Sequence, residues 1–286
     1  MPKRTTVPNH QLPTAWSRVM IFSVRPEADC GRWPIKRTLD EDVLVTADLV
    51  ADGHDLPAAE LLYAPKGGEE EAVRMTPLGN DRYEARFRVG ALGLWRYRVR
   101  AWVDRFATWQ ELFERRVRGQ SPEWELRSEL LEGASLLKKA AEGADGEDKA
   151  RLLAFAEAFE GGEVEAALKP EVQRLAAHYD PREGAAESPS LEVTVERILA
   201  RFGSWYEFFP RSAGKFGHHG TLDDAAERLD YVKEMGFDIV YLPPIHPIGK
   251  THRKGKDNAP LAGEDDPGSP WAIGGEEGGH KTVHPE

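Results

Sequence analysis

Two short apolar runs bracket one helical pattern between residues 205 and 242. The first is Trp205-Tyr206-Glu207-Phe208-Phe209, closed by Pro210. The second is Ile239-Val240-Tyr241-Leu242, closed by Pro243-Pro244. Between them Thr221 can cap a helix, with Asp224 three residues on as a weak capping box. Leu222, Ala225, Ala226, Leu229, Val232 and Met235 form one apolar stripe, and Gly236 supplies a left-handed stop. Strand, helix and strand at this spacing make a β-α-β unit, and the aromatic run suits a strand buried on both faces. A buried parallel pair with a crossover helix begins an α/β sheet or a (β/α)8 barrel. Either architecture binds ligands beyond the C-terminal ends of its strands. Those ends are Pro210-Arg211-Ser212 and residues 243–250.

The loop after the second run carries Lys250, Arg253, Lys254 and Lys256 on a chain whose net charge is -11. Cations at a strand end suit an anionic ligand such as a phosphate. The competing reading is a solvated basic loop, because charge runs are usually surface features. Asn258, Trp271, His280 and His284 have side chains that bind sugar hydroxyls or stack on a pyranose face. Tryptophan is, however, more often core and histidine more often structural. His246, between Pro244-Ile245 and Pro247, reads equally well as a buried, satisfied histidine. His218-His219, His246 and His252 lack helical i,i+4 pairing and nearby cysteines, so no metal pattern emerges. The glycine-rich residues 274–279 follow no strand, which makes them a weak phosphate cradle.

Upstream the periodicity is different. Residues 1–17 are polar with three prolines and read as a loose arm. Runs at 19–24, 43–50, 60–64, 83–89 and 93–103 are rich in β-formers. Tyr83, Ala85, Phe87 and Val89 alternate with charged residues, as do Trp95, Tyr97, Val99 and Ala101. Period-two alternation means a sheet with one buried and one wet face, and the spacing predicts an antiparallel β-sandwich. From residue 105 the period becomes helical. Phe106, Trp109, Leu112, Phe113 and Val117 make one helix stopped by Gly119. Ser121-Pro122-Glu123 reads as N-cap, first-turn proline and early acid of a second helix, which runs to about Glu142. Helices at 147–160 and 164–179, the latter interrupted by Pro170, complete a four-helix bundle. Leu191, Val193 and Val195 then restore strand alternation.

The acidic balance argues against a general nucleic-acid binder. The one cysteine, Cys30, cannot form an internal disulfide, which points to a reducing compartment. There is no signal-peptide core and no run of about 18 apolar residues, so a cytoplasmic protein with no membrane span is expected.

Several long strings carry a resemblance. They are residues 204–212 (SWYEFFPRS), residues 241–249 (YLPPIHPIG), and residues 268–274 (GSPWAIG) with Glu277-Gly278-Gly279-His280. Trp33-Pro34-Ile35-Lys36-Arg37 and Gly53-His54-Asp55 fit it too. They resemble the bacterial α-1,4-glucan:maltose-1-phosphate maltosyltransferases of the α-amylase (glycoside hydrolase 13) superfamily, from about residue 19 onward. The resemblance implies a multidomain chain: an all-β immunoglobulin-like sandwich (18–104 and 190–199), an inserted helical bundle (105–185), and the first β/α units of a truncated (β/α)8 barrel (200–286). It implies transfer of maltosyl units from α-maltose 1-phosphate to the non-reducing end of an α-1,4-glucan. The mechanism is retaining, through an aspartate nucleophile and a glutamate acid/base. It implies no metal or organic cofactor, and a homodimer in the full-length protein. Residues 253–258 match the family's Arg-Lys-Gly-Lys/Arg-Asn-Asn loop, which gives Lys254 a donor contact. Asp257 stands where the family has asparagine and takes no role. The substrate-binding candidates are thus Lys254, Asn258 and His280.

The family's two catalytic carboxylates follow the fourth and fifth barrel strands, so no catalytic residue is assigned here and the 286-residue chain is expected to be inactive alone. The alternatives are a non-catalytic glucan-binding or dimerisation module, and part of another amylase-type hydrolase or branching enzyme. Two barrel strands leave open edges, which predicts poor order from about residue 245 onward. Limited proteolysis with mass spectrometry checks this: early cleavage confined to that tail is the expected outcome, and protection equal to the upstream residues contradicts it.

Overall fold

The computed structural model describes residues 17–215 and 217–285. Residues 1–16, most of the expected loose arm, lie outside the described residues. The chain divides into two compact units, Met1–Glu196 and Arg197–Glu286.

In the first unit, strands β1 (Val19–Arg25), β2 (Ile35–Thr38), β3 (Asp42–Ala51), β4 (Pro57–Pro65), β5 (Glu71–Arg74), β6 (Thr76–Gly79), β7 (Arg82–Arg88) and β8 (Gly93–Val103) come first. Helices α1 (Arg105–Arg118), α2 (Glu123–Glu142), α3 (Gly146–Glu160), α4 (Val164–Ala167) and α5 (Pro170–His178) follow. The chain then returns as β9 (Ala186–Glu187) and β10 (Leu191–Glu196). One sheet has the order β1-β3-β7-β6. The other has the order β2-β10-β8-β4-β5, with β9 also on β8. The helices are therefore an insertion between strands of one sheet. The sandwich is not wholly antiparallel, because β10 pairs β2 in parallel, Val193 opposite Ile35.

Alternation decides the core. Val43, Val45, Ala47 and Leu49 of β3, Ala85 and Phe87 of β7, and Trp95, Tyr97, Val99 and Ala101 of β8 are all buried, together with Leu191, Val193 and Val195. Phe87 stacks on Tyr63 at 4.7 Å and sits 5.7 Å from Tyr97, in the offset range that adds to simple area burial. The buried Tyr97 hydroxyl donates to the Pro26 carbonyl, and burial pushes its pKa up to about 12.

The insert has its own core of Phe106, Trp109, Phe113, Leu130, Leu137, Leu152 and Phe159. Leu112, expected in the apolar stripe, is turned outward and 42% exposed, because Trp109 and Phe113 already fill the seam. Ser121 is not the cap of α2. Pro122 holds that position with no side-chain hydrogen bond. The expected fourth helix is two pieces, because Pro170 cannot donate the hydrogen bond that continuity needs. The Gln110 side chain donates to the buried end of the first piece, at the Ala167 carbonyl, 2.8 Å away.

The second unit holds β11 (Trp205–Glu207), β12 (Ile239–Tyr241), α6 (Leu222–Glu227) and α7 (Leu229–Glu234). The two strands pair in parallel, Trp205 opposite Ile239 and Glu207 opposite Tyr241. The Thr221–Asp224 capping box forms with both bonds present. The Thr221 backbone N–H and hydroxyl hold the Asp224 carboxyl below its usual value. The single expected helix breaks at Arg228. Its guanidinium lies 5.8 Å from the Phe208 ring and 5.3 Å from that of Tyr231, and it donates to the Tyr206 hydroxyl at 3.3 Å. Of the apolar stripe only Ala225 and Val232 are buried, while Leu222, Leu229 and Met235 are each at least 40% exposed. β11 is likewise not buried on both faces: Trp205 is 60% exposed. Among the described residues β11 pairs on one side only, so the sheet is too narrow to cover its own faces.

Gly133 on α2 tests the packing of the insert. A Cβ built there would lie 2.3 Å from the Trp109 ring, and that ring is fixed by its N–H bond to the Glu129 carbonyl at 2.9 Å. Alanine would favour the helix by about 1 kcal/mol, but the overlap outweighs this. Gly133→Ala is expected to destabilise the chain by roughly 1–3 kcal/mol in urea unfolding. A stabilised variant would show that Trp109 is free to move.

Candidate functional site

Beyond Tyr241 the chain cannot continue in the sheet, because Pro243 and Pro244 have no N–H to give. It turns across the C-terminal ends of the two strands and is tied there by backbone hydrogen bonds. Gly249 donates to the Ala272 carbonyl at 2.9 Å, Gly274 to Pro247 at 3.0 Å and His284 to Ile245 at 2.7 Å. An isolated bridge joins Ile248 and Ile273. Residues 245–249 thus carry the distal glycine-rich segment.

Arg253 organises the loop between. Its three guanidinium nitrogens donate to the carbonyls of Gly249 at 3.1 Å, Asp266 at 3.3 Å and Ile248 at 2.9 Å. Arg211, in the short 3-10 turn Pro210–Ala213 that follows β11, donates to the Gly268 carbonyl at 2.9 Å. Gly268 is left-handed at φ 77°, and a Cβ there would meet the Arg253 side chain at 2.8 Å. Glycine is required at this crossing for both reasons.

These segments enclose a cleft of about 450 Å³ at the strand ends. Polar groups of both signs converge on it: Arg211, His219, His246, Arg253, Asp266 and His284. Phe209, Leu222, Ile245 and Val283 add apolar wall. A cleft of this size with mixed donors, acceptors and apolar surface suits a small polar ligand such as a sugar. His246 is buried, and its Nδ1 lies 3.1 Å from the Pro247 carbonyl, which fits the satisfied-histidine reading. Among the described residues no group of three or more histidine, cysteine, aspartate or glutamate side chains is placed to hold a metal ion.

The expected substrate residues do not converge on this wall. Lys254, Asn258 and His280 are exposed and none of them lines the cleft. Lys254 follows Arg253 directly but is exposed and makes no hydrogen bond or ion pair among the described residues. Asn258 sits at φ 64° beside Asp257 at φ 53° in a short 3-10 turn. Of the other candidates, His284 is on the wall, while Trp271 packs edge-on against Phe209 at 5.3 Å. The acidic residues 264–266 had no sequence signal to separate them from a solvated charge run, yet they face the cleft.

Residues 17–197 match the family described as alpha-1,4-glucan:maltose-1-phosphate maltosyltransferase, domain N/S. A curated maltosyltransferase of that name from Salinibacter ruber is 54% identical over 281 residues, covering 96% of this chain and 42% of the relative. Those of Chlorobaculum tepidum and Myxococcus xanthus are 43% and 44% identical, each covering 94% of this chain and 41% and 42% of the relative.

This chain belongs to the maltosyltransferase family.

It spans about two-fifths of the length of the curated relatives it matches. Its architecture is the one expected for the N-terminal part of a maltosyltransferase: an immunoglobulin-like sandwich with a helical insert, and after it a parallel β/α unit with no closed barrel among the described residues. No helix among the described residues is long and apolar enough to cross a membrane.

Arg253→Ala removes three charge-assisted bonds, each ordinarily worth about 1.5–3 kcal/mol. The expected outcome is faster hydrogen exchange, by at least about tenfold, at the amides of Gly249 and Gly274, with β3 and β8 unchanged. Unchanged exchange at Gly249 would show that the loop holds without the guanidinium.

Proposed function

We propose that this chain is the non-catalytic N-terminal part of an enzyme that moves maltosyl units from α-maltose 1-phosphate to the non-reducing end of an α-1,4-glucan. The observation that carries this reading is the family match over residues 17–197, together with 54% identity to a curated maltosyltransferase. The cleft beyond the parallel pair β11 and β12 agrees with it, since sugar-processing barrels bind at that end of their strands.

In this reading residues 18–104 and 190–199 form the sandwich domain, 105–185 the helical insert, and 200–286 the beginning of the catalytic barrel. Lys254 contacts the donor; its exposed, unpaired charge suits a phosphate oxygen. Asn258 and His280 meet sugar hydroxyls. The aspartate that forms the covalent glycosyl intermediate and the glutamate that protonates the leaving phosphate, then activates the acceptor hydroxyl, come from later barrel strands. The enzyme works without a metal or organic cofactor, as a cytoplasmic homodimer. A second reading, a glucan-binding module, draws on Trp33, which is 63% exposed on the sandwich; retention on a glycogen resin that Trp33→Ala abolishes would favour it.

The test is phosphate release from α-maltose 1-phosphate with a glucan acceptor. The 286-residue chain is expected to show none. A full-length protein carrying this sequence should show it, and Lys254→Ala in that protein should raise KM for the donor by about 10-fold or more, the loss of one charge-assisted bond. Hydrolysis of glucan with no phosphate release would replace the transferase reading with an amylase-type one.

A further inference from the structure

The chain enters the helical insert through Trp102, Val103 and Asp104 and leaves it through Asp180, Pro181 and Arg182. The two crossings meet on the outer face of the second sheet. Trp102 is fully buried, and the guanidinium carbons of Arg74 and Arg182 lie 4.8 Å and 5.4 Å from its ring centroid. Three carboxylates crowd the same place: Asp104, Asp180 and Glu60 are 5%, 8% and 6% exposed. Arg74 bonds Asp104 at 3.0 Å, and Arg182 donates through Nε to Glu60 at 2.9 Å. Asp104 also caps α1 through the Ala107 N–H at 2.9 Å. Asp180 accepts the Arg182 backbone N–H at 2.7 Å and has no ion pair among the described residues.

We propose that these groups form a proton-sensitive latch at the root of the insert: one proton taken up by Asp180 seats the helices on the sandwich, and its loss loosens them. Two arginines face three buried carboxylates, so the fully ionised cluster carries an excess negative charge on groups that water screens poorly. Lys139 and Arg105 share the single carboxylate of Glu183 on the insert side, which leaves one cation over, but both side chains are solvent-exposed and the Arg105 contact is 3.8 Å, so water screens that charge far more than it screens the buried carboxylates. Arg100, across the strand from Glu60, pairs with Glu187. A cavity of about 50 Å³, lined by Asp180, Lys139 and Glu183 among others, is large enough for a water molecule to carry the proton.

Burial pushes the Asp180 carboxyl up, and the Asp104 charge adds to this; the Arg182 N–H, Trp102 and Arg74 act the other way without reversing it. A carboxyl whose pKa is higher folded than unfolded contributes stability that is full below the ordinary carboxylate value. That contribution is lost as pH rises through the raised value. The latch is therefore tight below the raised value and loose above it.

Asp180→Asn removes the charge and keeps an oxygen for the Arg182 N–H. Thermal unfolding of the chain and the variant from about pH 3, below the ordinary carboxylate value, to about pH 8, with amide exchange at Arg182 and Ala107, tests the proposal. The variant should be the more stable and better protected at high pH, and the difference should shrink as pH falls. A difference independent of pH, or a variant less protected at high pH, overturns it. Should the variant fail to fold, the carboxyl carbons of the unmutated chain can be titrated by NMR. An Asp180 midpoint above the other aspartates supports the latch, and one in the ordinary range overturns it.

Discussion

β8 is the strand on which the first unit depends. It is hydrogen-bonded along its length, to β4 on one side and to β10 and β9 on the other. Its inward residues Trp95, Tyr97, Val99 and Ala101 fill the centre of the sandwich core. Its outward residues Arg98 and Arg100 hold Glu70 and Glu187, and Trp102 closes the row under the insert. One eleven-residue strand therefore fixes the core, the outer face and the take-off of α1. An unpaired central strand would leave a row of buried amides without partners, which is why both of its edges must be covered before the sandwich is stable.

The insert keeps its independence by having its own core, and its attachment is mostly polar. Thr108 shows how that attachment is built. Its hydroxyl donates to the Asp104 carbonyl at 2.8 Å and accepts the Leu56 N–H at 2.9 Å, so one side chain links the first turn of α1 to the strand β4 that follows Leu56. Such bonds add little net stability each but are costly to leave half made. The second unit is organised differently. Its two strands are short, and the loop beyond them is held by Arg253 and by backbone bonds between residues 245–249 and 272–284. The cleft is a product of that loop, and so it is shaped by carbonyl positions more than by side-chain packing.

Much of this was legible from residue patterns. Alternation at 83–89 and 93–103 named the inward residues, and Gly119 and Pro170 marked where helices stop or break. β2, β5, β6 and β9 were not legible, because four residues or fewer give no period to read and their pairing is supplied by neighbours far along the chain. The break at Arg228 was hidden for a related reason: the helical stripe runs straight through it, and only the rings of Phe208 and Tyr231 show why the arginine turns aside. At the site, the strand ends were placed by proline. Arg253 read as one more loop cation, because nothing in a string of basic residues tells which one folds inward onto carbonyls.

The sequence by itself determined which faces of each strand are apolar, where the period changes from two to helical, and that residues 205 and 239 begin a strand–helix–strand unit. These are local facts, set by the spacing of side chains along a backbone of fixed geometry. Only the tertiary structure decided that β2 lies parallel to β10, that Trp102 is clasped by Arg74 and Arg182, and that Arg211, His246, Arg253 and His284 share one cleft. Those outcomes join residues tens of positions apart, and the energy that selects them belongs to desolvated contacts that exist only once the chain has closed on itself.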